Sequence, residues 1–493
     1  MRKQTKLVAV LSTAALLAIG ASMTSFAAQG WAEEDGTWVY YDKNGDKVTD
    51  SWKKSGDNWY YLDSDGEMAI DTLIEDGDNY YYVDINGVMA SNQWVAIENE
   101  DAGDDDEPEN YWYYFQANGK AYTRSDNASE DSVSAKTING KKYAFDDEGK
   151  MLFGWVSADN AERIDNTDGD GFKEGDYYFG GEDDGAMTVG WLQMDITYDE
   201  ATNDYEIAPV FNDDEDQTRW FYFKSNGKRA ENEKITYKGK TYFFDSEGKM
   251  LTGWVTYEST SSNTNSNTNV NEDGEFDKDK SFYCDETGAR VEKGWVYTTE
   301  SGVEEDNADA DEYWYYFKSS GKAQTGKATN ISGQTYLFDT DGHMLNGWVA
   351  YTDSNDDGKP GYIKIGDEDS EYKLKSFDDK DVYFCGDEDD GHAKKNKWIK
   401  AWRPSELDEA DEDNDQYWYW IDKNGKVYIP SSSDATKVAT AYKYKLKDAA
   451  LEIQNSGNAI NVIKKKVNSK DYFFNENGEM VSYFIHVTDA KSS

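Results

Sequence analysis

WVYYDKNG (Trp38–Gly45), WYYLDSDG (Trp59–Gly66) and YYYVDING (Tyr80–Gly87) follow one another with their glycines 21 residues apart. Each is a run of aromatic and β-branched residues stopped by an Asn-Gly or Asp-Gly pair. That is the composition of a strand entering a tight turn, where glycine supplies the positive φ. The unit returns as YWYYFQANG (Tyr111–Gly119), RWFYFKSNG (Arg219–Gly227), YWYYFKSSG (Tyr313–Gly321) and YWYWIDKNG (Tyr417–Gly425). One hairpin cannot bury its aromatic face alone, whereas neighbours stacked along the chain can. The expected fold is all-β, a solenoid of stacked β-hairpins with long acidic insertions.

A longer period sets in after Gly87. Trp94, Trp191, Trp295 and Trp398 open equivalent units, and Trp155, Trp254 and Trp348 mark a second equivalent point. The expected organisation is a signal peptide at 1–27, compact hairpin repeats at 28–93, and super-repeats at 94–190, 191–294 and 295–397. A partial, divergent super-repeat with a Lys-rich insertion near Tyr442–Lys466 fills 398–493. Met68, Met89, Met151, Met187, Met250, Met344 and Met480 each sit two residues after a turn glycine. A soft apolar side chain repeated at one point implies one recurring packing role.

Composition narrows the function. Arg2, Lys3 and Lys6 precede the apolar run Leu7–Ala21, and Ser25-Phe26-Ala27 offers small residues for cleavage before Ala28. This reads as a secretory signal, too short to span a membrane. The net charge of −48 disfavours nucleic acid and bare anionic polymers as partners and attracts cations. An aromatic content of 15% argues against disorder for a chain this charged. Cys284 and Cys385 lie at matching places one super-repeat apart, so stacking separates them beyond disulfide reach and leaves both thiols free. His343 and His392 read as surface turn residues. No nucleophile–base pair, zinc pattern or phosphate loop stands out, and the chain is read as no enzyme.

The units GWVSADN, GWVTYEST, WYYLDSDGEM and GKMLTGW resemble the cell-wall-binding repeats of Gram-positive bacteria, the choline-binding and glucan-binding repeat proteins. The resemblance covers nearly the whole chain after the leader. It implies hairpins stacked as a left-handed solenoid, with choline held between neighbours in a cage of aromatic rings beside a methionine. Ring faces hold a quaternary ammonium without a hydrogen bond. Carried over by position, the ligand-binding residues are Trp52, Trp59, Tyr61 and Met68, then Trp94 with Trp112, Trp191 with Trp220, Trp295 with Trp314, and Trp398 with Trp418. The compact second hairpins depart from the pattern, with Lys142, Thr241, Thr335 and Asp471 where the first ring would stand.

A second constellation lies in the third hairpin of each super-repeat. Asn166, Asp168 and Asp170, then Asn269, Asn271 and Asp273, then Asp353, Asn355 and Asp357 place Asx at alternate positions before a glycine. That spacing turns oxygens inward on a tight loop, as in the first half of a calcium-binding loop, although the twelfth position is not the usual Glu. The plain alternative is a solvated Asx-rich turn. The reading is thus a secreted, cell-wall-associated, non-catalytic protein that binds choline-bearing teichoic acid or glucan multivalently. The alternative is a calcium-dependent structural or self-assembling surface protein, with calcium as its cofactor.

Overall fold

The computed structural model describes residues 29–103, 107–124, 132–159, 161–166, 169–196, 217–262, 265–272, 274–303, 310–355, 358–365, 374, 381–404, 416–431, 436–441, 443–447, 450–455, 459–482 and 485–488. The expected signal peptide and most of the acidic insertions lie outside them. The chain divides into two compact units, one ending at Thr188 and one beginning at Val189. Among the described residues every regular element is a β-strand, and nearly all are paired as antiparallel hairpins in sequence order.

The hairpin loops are short and of the kind that fits strand twist. Gly30–Glu34 pairs with Thr37–Tyr41, and the two loop residues Asp35 and Gly36 take φ of 49° and 91°. This is a type I′ loop. The second and third hairpins instead place glycine first in the loop, at Gly56 and Gly77. The D-x-x-G turns read from the sequence come later, after the second strand. At Asp42–Gly45 the Gly45 amide donates to the Asp42 carbonyl at 3.1 Å. The Asp42 carboxylate accepts from the Asn44 and Asp46 amides at 2.7 and 2.9 Å. Asp63, Asp84, Asp146, Asp245, Asp285, Asp339 and Asp422 cap the equivalent turns in the same way.

Each such turn folds the chain back into a short connector that joins two hairpins. The Ala69 amide bonds its own hairpin at the Tyr61 carbonyl (2.9 Å), while the Met68 amide bonds the preceding hairpin at Trp38 (2.7 Å). Adjacent amides of an extended segment point opposite ways, so one connector serves both neighbours. In the first unit the pattern continues from Met89 to Trp59, Ala121 to Tyr80, Met151 to Trp112 and Met187 to Lys142. In the second it runs from Met250 to Trp220, Arg290 to Thr241, Met344 to Trp314, Ala393 to Thr335, Val427 to Val382 and Met480 to Trp418. Hairpins thus stack in chain order within each unit.

The recurring methionine has a defined seat. Met68 lies under Gly87, the turn glycine of the next hairpin, where an added Cβ would stand 2.9 Å from its Sδ and Cε. Met89 under Gly119, Met151 under Gly185, Met250 under Gly288 and Met344 under Gly391 repeat the arrangement, and Arg229 and Arg290 take the same place under Gly248 and Gly321.

Two regions depart from the simple stack. The third hairpins of the second unit take an extra strand from their insertions. Gly253–Ser262 pairs with both Asn265–Glu272 and Ser281–Cys284, and Trp348–Thr352 with both Gly361–Lys364 and Val382–Phe384. At the C-terminal end the Lys-rich stretch is built into sheet. Strands Lys470–Phe474, Ala459–Val467, Thr436–Ala441 and Ile485–Thr488 form one four-stranded sheet in that order, and Lys443–Lys447 pairs with Ala450–Asn455. The alternation in TKVATA and KYKLK is a strand signal that lysine content had masked. Cys284 and Cys385 are unpaired and buried. Burial pushes both thiols up, that of Cys385 to about 12.

Candidate functional site

A tryptophan on the first strand of most hairpins organises the interfaces. Trp52 stands directly across from Tyr61, and their rings meet edge-on at 5.1 Å. On its other side Trp52 meets Tyr81 of the next hairpin at 5.0 Å. The same three-ring contact recurs for Trp31 with Tyr40 and Tyr60, Trp94 with Tyr114 and Tyr143, and Trp191 with Tyr222 and Tyr242. It recurs again for Trp254 with Tyr283 and Tyr315, Trp295 with Tyr316 and Tyr336, Trp348 with Phe384 and Tyr419, and Trp398 with Trp420 and Tyr472. Directly opposed strand residues have their side chains closest, which makes such pairs the stabilising unit of a hairpin.

These tryptophans fall into two kinds. Trp155, Trp254 and Trp348 are 2%, 4% and 1% exposed. Trp254 Nε1 donates to the Thr299 carbonyl at 2.9 Å and Trp348 Nε1 to the Trp402 carbonyl at 3.0 Å. Their faces and their polar edges are both used by the fold. Trp52, Trp94, Trp191, Trp295 and Trp398 remain half-buried, and Trp59, Trp220 and Trp418 are exposed at 40%, 39% and 38%.

The expected pairs are not all brought together. Trp191 and Trp220 stand at right angles with ring centres 6.2 Å apart (82°), and Trp295 and Trp314 at 6.3 Å (86°). Tyr242 and Tyr336 supply a third wall at 4.8 Å from the respective first-strand tryptophan. At the second site Tyr297, directly across from Trp314, adds a fourth ring at 5.1 Å. Trp94 and Trp112 pack on one core cluster and Trp112 Nε1 donates to Asp183 at 3.3 Å. Trp59 and Trp418 each face a lysine across the strand pair, Lys54 and Lys400. Trp52 Nε1 donates to Asp76 at 3.1 Å. Met68 sits at the joint beneath Gly87. Tyr297, Tyr242 and Tyr336 were missed by sequence reading, because the ring across the strand pair and the ring of the next hairpin become visible only with the register.

Burial, then the Asp390 charge, raises the Tyr336 pKa. Burial, then Asp76, does the same for Tyr81. Neutral ring faces with carboxylates nearby attract a cation twice over, through the ring quadrupole and the net field.

The acidic loops divide differently. The Asn166 Oδ1 accepts from the Gly171 amide at 2.9 Å, and the Asn355 Oδ1 from the Lys359 amide at 2.8 Å. Asp170 faces Lys173 at 3.4 Å. Asn269 and Asn271 lie on the extended strand Asn265–Glu272 opposite Glu258 and Thr256, not on a tight loop. Asp353 is placed in a bend, while Asp168, Asp273 and Asp357 lie outside the described residues. Among the described residues no group of three acidic, His or Cys side chains is arranged to hold a metal ion.

His343 is not a surface residue. It is 9% exposed and stacked on Tyr313 at 3.9 Å. Its Nδ1 faces Asp339 at 2.9 Å and its Nε2 faces Glu300 at 3.3 Å. Burial opposes the charged ring, but the Asp339 hydrogen bond and the Asp339, Glu300 and Asp341 charges outweigh it, so the pKa is raised above the ordinary 6.5. A raised folded-state pKa gives stability that is complete below the unfolded value and lost as pH climbs through the folded one. Thermal unfolding of the native chain should therefore exceed that of His343→Gln below about pH 6.5, and the gap should shrink on raising the pH. A gap that widens with pH would refute this placement.

Comparison with known proteins adds the following. The choline-binding repeat model matches residues 28–72 and 48–94. The cell wall binding repeat model matches 109–121, 235–250, 309–323 and 465–480. Glucosyltransferase-S of Streptococcus mutans is 27% identical over 276 residues, 49% of this chain and 16% of the enzyme. Glucosyltransferase-I of Streptococcus downei is 25% identical over 287 residues, 56% of this chain and 16% of the enzyme. The chain thus spans about a sixth of these relatives. Among solved structures, choline binding protein F of Streptococcus pneumoniae is 18% identical, covering 82% of this chain and 100% of that one at a TM-score of 0.33. The modular autolysin LytC of Streptococcus pneumoniae is 20% identical, covering 64% and 52% at a TM-score of 0.33.

Proposed function

We propose that this chain, assembled from choline-binding and cell wall binding repeats, is a secreted, non-catalytic protein that holds cell-wall polymer through aromatic sites between its hairpins. The observation that carries the reading is the right-angled pair Trp295 and Trp314 with Tyr297 and Tyr336 beside it. The arrangement returns one super-repeat earlier at Trp191, Trp220 and Tyr242. Several ring faces converging at one accessible place suit a quaternary ammonium such as the choline of teichoic acid. Where a lysine stands across from the exposed ring, as at Trp59 and Trp418, the like charge disfavours that ligand. The ranking is therefore Trp295/Trp314 first and Trp191/Trp220 second. One such site is shallow, and a polymer that engages several gains avidity from effective concentration.

The test is binding to purified choline-bearing walls, eluted in turn with choline and with gluco-oligosaccharide. Trp314→Ala combined with Trp220→Ala should weaken retention by roughly tenfold or more, since each ring contributes about 0.5–2 kcal/mol to a bound cation. Trp220 is 39% exposed and Trp314 is half-buried, so the variant should lose much less of its thermal midpoint than a variant of a buried tryptophan. Unchanged retention in the double variant would remove the cages from the function, and elution by gluco-oligosaccharide alone would replace choline by glucan as the polymer.

A further inference from the structure

We infer that the second unit carries a separate groove that binds a neutral oligosaccharide, walled by two insertion segments and by the hairpin strands and turn between them. The groove encloses about 800 Å³, within the range of small-molecule clefts. One wall is the 274–280 segment, another the turn after Phe338, and the third the segment from Lys359 to Tyr362. The walls are tied to the fold. Phe276 packs edge-on against buried Trp254 at 5.9 Å. Asn355 Nδ2 donates to Thr340 Oγ1 at 3.3 Å, linking the second wall to the third insertion. Tyr362 meets Tyr351 edge-on at 5.3 Å and rests on Tyr383 at 6.0 Å.

The lining selects the class of ligand. It holds five carboxylates and three lysines, so hydrogen-bond donors and acceptors of both signs line it and an anionic polymer is disfavoured. Its charges are partly spent on each other. Lys280 reaches Glu258 at 3.1 Å and Asp277 at 4.0 Å. Asp339 is likewise held by His343 at 2.9 Å. Glu275 and Asp341 line the groove with Lys278 and Lys359, donors and acceptors of both signs next to two tyrosine rings. Sugar hydroxyls both donate and accept, and pyranose faces are apolar enough to lie on a ring. A neutral oligosaccharide satisfies both features, whereas quaternary ammonium uses only the rings. The groove adjoins the Trp295 cage through Phe338, which stacks on Trp295 at 5.9 Å, so the test uses variants on the far insertion walls.

The experiment is calorimetric titration of the full chain with isomaltotetraose and, separately, with chitotetraose. Glu275→Gln and Lys359→Gln are the variants, both at exposed positions lining the groove. At least one oligosaccharide should bind the native chain, and each variant should weaken it by about tenfold, the usual loss for one hydrogen bond to a charged group. Choline binding by the same variants should be unchanged. No binding of either oligosaccharide overturns the inference, as does equal affinity in the variants. Oligosaccharide displaced by choline would also overturn it, by moving the sugar into the cages.

Discussion

Trp348→Ala should destabilise the second unit by about 3–5 kcal/mol, the usual cost of deleting a large aromatic side chain from a core, while Trp314→Ala should cost far less. Both tryptophans are set on strands of the same kind of hairpin, but their surroundings differ. Trp348 is 1% exposed and edge-on to Phe384 and Tyr419 at 5.0 and 4.8 Å. Its Nε1 also satisfies the Trp402 carbonyl at 3.0 Å, so truncation leaves a cavity and an unpaired acceptor together. Trp314 is only half-buried, and its loss should appear in ligand binding. Urea denaturation followed by circular dichroism measures the first effect, and choline titration the second. Equal unfolding costs for the two variants would show that the division between buried and accessible tryptophans has no energetic content.

The second large effect is expected at the joint between hairpins. Gly87 has φ of 73° and sits on Met68, with the Ala69 carbonyl 3.1 Å from where a Cβ would be. Gly87→Val combines a β-branched residue in the left-handed region, about 1–2 kcal/mol, with overpacking against Met68, about 1–3 kcal/mol. The sum is on the order of 2–5 kcal/mol. Gly77→Ala is the control. Its φ is 62°, but nothing lies within 4 Å of the new Cβ, so only the backbone strain remains. Hydrogen exchange should show the strands Ser51–Ser55 to Asn79–Val83 opening in Gly87→Val and only slightly in Gly77→Ala. Equal exchange in both would mean that the methionine seat carries no stability.

The β-hairpins and their order were legible because the pattern that encodes them is local: an aromatic run, then glycine. The accessible tryptophans were legible for the same reason, since Trp191, Trp220, Trp295 and Trp314 are marked by their place in the repeat. What covers a side chain is not local. Trp254 and Trp348 are closed off by carbonyls 45 and 54 residues away. His343, a turn residue by sequence, is buried by Glu300 and Tyr313 from the preceding hairpin. Met68, expected beside a ligand, lies under the turn glycine of the next hairpin, a seat set by connector geometry. The alternating Asx residues looked alike in sequence, yet Asn269 and Asn271 lie on a strand whereas Asn166 and Asn355 close turns.

The methionine seat makes each hairpin self-sufficient as a building part. At these joints one unit supplies a plug, the long side chain two residues past its turn, and the next supplies a socket, its bare turn glycine; at Gly149 and Gly342 the plug position is Ala121 or Ala323 and only its Cβ reaches the glycine. The plug tolerates exchange, as Arg229 and Arg290 fill the sockets at Gly248 and Gly321. Neither part lies in the loop between the paired strands, so that loop can lengthen without disturbing the joint. It has two residues at Asp35-Gly36 but spans Ala401 to Tyr417 in a later hairpin. Array length and loop content are therefore independent variables: a unit can be duplicated or removed, or its loop replaced, and the remaining joints still close.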